Sequence, residues 1–115
     1  MSVPKRLLTL LDARDGHVCA MCGLEDDTLV PHHRANRGMG GRRSLDRMSN
    51  LVWLCSSDNG LVESDADAAK EARDRGIKIS SHAEPAHVLI RHAVLGVGYL
   101  LDLPPWFEAH GDPPF

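Results

Sequence analysis

Aromatic side chains are scarce, with two tryptophans, one tyrosine and two phenylalanines among 115 residues. So few cannot fill the broad core of a large β-sandwich. Cysteine is also sparse and odd in number. Three thiols cannot complete a disulfide framework, which points to a reducing compartment and to metal ligation or free thiols instead. Long apolar runs are missing as well. Residues 7–11 are too short for a secretory core, and residues 93–101 end at Asp102, well below the roughly 20 residues that span a bilayer. These absences exclude a membrane partner and make the cytoplasm the expected location. There is no internal repeat, and the length suits one compact domain with trimmings.

An excess of positive charge is lacking too, since the chain carries a formal net charge of −3. The total conceals an uneven distribution. Residues 1–57 hold eight basic and six acidic side chains, net +2, whereas residues 58–115 hold five and ten, net −5. Within 31–50, Arg34, Arg37, Arg42, Arg43 and Arg47 stand against the single acid Asp46, interleaved with Gly38, Gly40 and Gly41. Guanidinium groups fork onto phosphate oxygens, so this strip is expected to bind phosphate, with a solvated flexible surface loop as the bland alternative.

Local patterns predict an α+β chain. Pro4, the leucines at 7, 8, 10 and 11, and Gly16 predict a helix over about 4–14. Residues 28–33 and 50–54 are short β-prone runs that can pair as an antiparallel hairpin. A short helix is expected over 56–63. Ser64 with Asp67 three residues on resembles a capping box opening a second, alanine-rich helix over 65–75 that stops at Gly76. Residues 77–81, 87–92 and 96–101 are β-prone, and the proline-rich tail from Pro104 is expected to be irregular. Trp53 is expected in the core.

Two groups of residues carry chemistry. Cys19-x-x-Cys22 and Cys55-x-x-Asp58 are short-spaced pairs on separate segments, the pattern of a tetrahedral structural zinc site, with carboxylate as an acceptable fourth ligand. His17 is an alternative fourth ligand, and buried free thiols are the bland reading. The second group is His32-His33, Asn50 and Asn59. Adjacent strand residues point to opposite sides, so the two histidines are expected to serve different tasks.

These residues resemble the HNH endonucleases, and specifically the small HNH proteins of bacteriophages. The marks are Arg14 through Gly23 around the two cysteines, then Val30-Pro31-His32-His33-Arg34. Arg37-Gly38-Met39-Gly40-Gly41 follows, then Ser49 through Cys55, and Gly60-Leu61-Val62-Glu63-Ser64 leading into a helix. The resemblance implies a ββα-metal finger over 16–80, preceded by an N-terminal helix over 1–15 and followed by an extension over 81–115. It implies His32 and Asn59 as ligands of a catalytic magnesium or manganese, His33 as general base and Asn50 as the asparagine that holds the finger. Cys19, Cys22, Cys55 and Asp58 would hold structural zinc, and Arg34, Arg37, Arg42 and Arg43 would contact DNA phosphates.

The implied activity is metal-dependent hydrolysis of DNA phosphodiester bonds, by nicking or double-strand cleavage, in the host cytoplasm of a phage and in association with terminase subunits. Asp58-Asn59 stands where the family has Cys-His. Asparagine offers a carbonyl oxygen, which suits hard cations. The same two replacements support a rival reading, a zinc-stabilised DNA- or protein-binding module that has lost catalysis.

Overall fold

The protein, seen here in a computed structural model, is described over residues 3–35 and 45–110, with three α-helices and two small antiparallel sheets among them. Helix α1 (Lys5–Asp15) places Leu7 and Leu11, four residues apart, on one face that packs into the core. It ends at Gly16, which takes a positive φ of 76° and donates its N–H to the Asp12 carbonyl at 2.8 Å.

Strands β1 (Val30–His33) and β2 (Leu51–Leu54) form the predicted hairpin. His32 lies opposite Val52 and His33 opposite Leu51. All four β2 residues are buried, Trp53 among them, so this strand is the floor of the core. Asn50 precedes β2 in a 3-10 turn over Met48–Asn50. Helix α2 (Ser56–Ser64) follows directly, and helix α3 (Ala66–Asp74) follows it. The cap of α3 differs from the expected Ser64 box by one residue. Asp65, in extended backbone, accepts the Ala68 N–H at 2.9 Å, while Ser64 closes α2 and donates its hydroxyl to the Gly60 carbonyl.

The β-prone run 77–81 contributes only an isolated parallel bridge between Ile79 and Ala35. Beyond it, a 3-10 turn over Pro85–His87 leads to the second sheet, in the order β3 (Ile90–His92), β4 (Gly96–Leu100), β5 (Phe107–Ala109). Strand β5 lies in the tail expected to be irregular. Its three residues carry no alternation to read, and pairing of Phe107 with Leu100 and Glu108 with Tyr99 supplies what local pattern does not. Ile90 and Leu100 join Leu11, Leu51, Leu54 and Ile77 in one apolar cluster, so the C-terminal sheet shares the core of the hairpin.

Two buried arginines tie these layers together. Arg14 pairs with Asp15 and donates to the carbonyls of Met48 (2.6 Å) and Leu51 (2.7 Å). Burial alone would raise the Asp15 carboxyl, but hydrogen bonds from Arg14 and His92 overturn that and hold it below its ordinary value.

Arg34, expected on phosphates, is instead a core residue with 1% exposure. Its guanidinium donates to the carbonyls of Gly76 (2.8 Å), Ser49 (2.8 Å), Pro85 (3.0 Å) and Val88 (2.9 Å). A planar fork of five donors suits four converging carbonyls, which explains why arginine can be buried here without a carboxylate facing it. Burial lowers its pKa to about 10, so it stays charged at neutral pH. Gly76 makes the approach possible. At φ +72° a side chain there would be strained, and a Cβ would lie 2.0 Å from the Leu89 carbonyl oxygen.

Replacing Arg34 with alanine orphans four buried carbonyls and opens a cavity, with an expected loss of at least about 3 kcal/mol in urea unfolding. Arg34→Lys is expected to lose a comparable amount, because one ammonium cannot reach all four acceptors.

Candidate metal centre and histidine cleft

Two sites draw on helix α2. The first is made by the Cys-x-x-Cys turn before β1 and by the N-terminal end of α2. Cys19, Cys22, Cys55 and Asp58 bring their ligand atoms within 4.8 Å of one another, close enough to hold a metal ion. The Cys19 thiol meets the Asp58 carboxylate at 3.3 Å, the sulfurs of Cys22 and Cys55 are 3.9 Å apart, and all three cysteines are free.

Local backbone sets this arrangement. Cys55 caps α2, its sulfur accepting the Asp58 N–H at 3.5 Å, so Asp58 sits in the first turn facing the same point. The Gly23 N–H returns to the Cys19 carbonyl at 2.8 Å, closing the turn that holds Cys22. Burial raises the Cys55 thiol above its ordinary value, and the adjacent Cys19 and Asp58 charges add to the rise. Such crowding of anionic donors is what a cation relieves. His17, the alternative ligand, is engaged elsewhere. Its Nδ1 lies 2.7 Å from Asp12 and its ring meets Trp53 edge-on at 4.7 Å.

The second site is a cleft of about 260 Å³ between the end of β1, helix α2 and the segment after α3. His32, His33 and Asn59 all line it, so residues singled out from two separate segments meet there. Both histidines border this one space, but their partners differ. His32 is buried and its Nε2 donates to the Ile77 carbonyl at 3.0 Å, which leaves Nδ1 with a free lone pair. Burial lowers its pKa to about 4, so the imidazole is neutral at physiological pH, the form in which histidine ligates a metal. His33 is half-buried, and its Nε2 donates to the Asp46 carboxylate at 2.6 Å.

Asn50 does not line this cleft. It is fully buried, accepts the Ala35 N–H at 2.7 Å, and donates to the carbonyls of Leu45 (2.9 Å) and Ala35 (3.2 Å), so it ties Ala35 to Leu45. Arg34 lines the cleft, but its guanidinium is spent on four backbone carbonyls and is withdrawn from the phosphate-contacting role expected of it. Arg37, Arg42 and Arg43 lie outside the described residues.

Sequence reasoning missed three residues here. Glu63 lines the cleft one helical turn beyond Asn59 and pairs at 3.1 Å with Lys78, which lines it from the segment after α3. The i, i+4 spacing of Asn59 and Glu63 was a readable signal. Asp46 was visible only as the odd acid in an arginine-rich stretch. Comparison with protein-family models, with curated proteins and with solved structures gives no match. No helix among the described residues is long and apolar enough to cross a membrane.

Two outcomes follow from these sites. His32 is free to protonate at about 6.5 when unfolded but only at about 4 when folded, so the unfolded state binds the extra proton in between. Its contribution is complete above pH 6.5, is lost as pH falls toward 4, and is expected to total about 3 kcal/mol. Urea unfolding at stepped pH should show this slope in the wild type and its loss in His32→Asn. Separately, a metal ion held by the cysteine cluster would couple to folding, so loading the protein with zinc should raise stability by on the order of 5 kcal/mol over chelator-treated protein, with calorimetry as the readout.

Proposed function

We propose that this chain is a metal-dependent endonuclease of the HNH type, hydrolysing DNA phosphodiester bonds by nicking or double-strand cleavage. The observation that carries the reading is the convergence of His32, His33 and Asn59 on one cleft, where β1, β2 and α2 follow one another in chain order. In this reading the hairpin and α2 are the ββα finger. Three thiols and a carboxylate make a suitable donor set for structural zinc, which would clip the turn before β1 to the start of α2.

The cleft offers the harder donors. His32 Nδ1, the Asn59 carbonyl and the Glu63 carboxylate are a mixed nitrogen and oxygen set that fits magnesium or manganese. A divalent ion held there would stabilise negative charge on the phosphate and on the leaving 3′ oxygen. The remaining chemistry belongs to the chain. His33, with Nε2 occupied by Asp46, presents Nδ1 as the acceptor for a proton from water. The hydroxide so formed attacks phosphorus, a new P–O bond replaces the P–O3′ bond, and the leaving oxygen takes its proton from solvent. Lys78 supplies a cationic donor to a non-bridging phosphate oxygen. DNA is the proposed partner, and the terminase association rests on the sequence resemblance alone.

A plasmid-nicking assay with magnesium, manganese or EDTA tests the proposal. Nicking is expected with either metal, lost in EDTA, and reduced at least about 100-fold by His33→Ala. Inactivity in every metal, or activity indifferent to His33→Ala, would overturn it in favour of a binding module.

A further inference from the structure

We propose that Asp46 is a positioning residue for His33, locking its imidazole in the Nε2–H tautomer so that Nδ1 is presented to the cleft. The catalytic consequence rests on the nuclease reading above, whereas the tautomer itself does not.

The contact is short and sheltered. His33 Nε2 and Asp46 Oδ1 are 2.6 Å apart, and the two side chains are only 15% and 8% exposed. A carboxylate accepts and cannot donate, so the proton of a neutral His33 is placed on Nε2. Shielding from water strengthens such a bond relative to one on the open surface.

The backbone beneath Asp46 is held on both sides. Before it, the Leu45 carbonyl accepts from the buried Asn50 amide at 2.9 Å. After it, Arg47 forks onto Glu84 with bonds of 3.0 and 2.6 Å and also pairs with Asp102. The next turn is pinned again, by Arg14 on the Met48 carbonyl, by Asp102 on the Ser49 N–H and by Arg34 on the Ser49 carbonyl. A carboxylate carried on a segment fixed at this many points cannot easily follow a mobile imidazole. Instead the imidazole conforms to the carboxylate, which is how a supporting residue sets the orientation of a base. Asn50 therefore acts on the cleft through this segment without lining it, and Arg34, which does line it, adds a second hold on the same segment.

The test combines NMR and kinetics on the full chain carrying its metals. Long-range proton–nitrogen correlation spectra of His33, taken where the ring is neutral, should show the Nε2–H tautomer alone in the wild type and a mixture in Asp46→Ala. In the nicking assay Asp46→Ala should lower kcat about 100-fold with KM for plasmid unchanged. The double variant His33→Ala/Asp46→Ala should be no slower than His33→Ala alone. Asp46→Leu, close in shape and without an acceptor, serves in place of the alanine variant if amide spectra show that Asp46→Ala is unfolded.

An unchanged tautomer in a folded Asp46 variant would overturn the proposal, as would wild-type kcat. Activity absent from the wild type would instead overturn the nuclease reading and with it the catalytic half of this proposal. The tautomer spectra would still decide whether Asp46 orients His33.

Discussion

Four backbone carbonyls from three stretches of chain converge on the guanidinium of Arg34, and most of the architecture around the cleft depends on that convergence. Ser49 belongs to the turn before β2, Gly76 to the end of α3, and Pro85 and Val88 to the turn before β3. Nothing apolar could hold these groups, because each carbonyl would be buried without a donor. The arrangement asks two further things of the sequence. Gly76 must lack a side chain, and the residue between His33 and Ala35 must be an arginine rather than any other cation.

The same clamp explains how a small hairpin presents two adjacent histidines with different partners. His32 turns its Nε2 to the Ile77 carbonyl just after the glycine that Arg34 holds, and His33 turns its Nε2 to Asp46 on the segment that Arg34, Asn50 and Arg47 hold. Each ring thus has one nitrogen committed to the protein and one left over. At the far end of β2 the cysteine cluster fixes the start of α2, and one turn along that helix comes Asn59 and then Glu63. Cleft and cluster share a helix, so an ion in the cluster would set the position of the cleft donors.

Much of this was legible in the chain itself. The hairpin, both following helices, the cysteine and aspartate spacing and the histidine–asparagine set follow from short-range pattern, and the structure brings the cysteines to Asp58 and His32 and His33 to Asn59, while Asn50 lies apart in the core. What could not be read depends on depth and long-range pairing. A charge count records Arg34 beside Arg37 and Arg42 as alike, but only three-dimensional convergence of carbonyls distinguishes a core arginine from a surface one. Strand β5 is too short to carry a period, and its place is set by β4. Asp46 reads as a lone acid among basic residues until the fold shows what it faces.

The proposed nuclease chemistry requires a divalent cation in the cleft, held by His32 and Asn59. Manganese titrated into zinc-loaded protein and followed by electron paramagnetic resonance tests this most directly. One tightly bound ion with coupling to an imidazole nitrogen is the predicted result, with that coupling absent in His32→Ala and binding weakened in Asn59→Ala. Manganese that binds equally well to both variants, or that shows no nitrogen coupling in the wild type, would contradict the account.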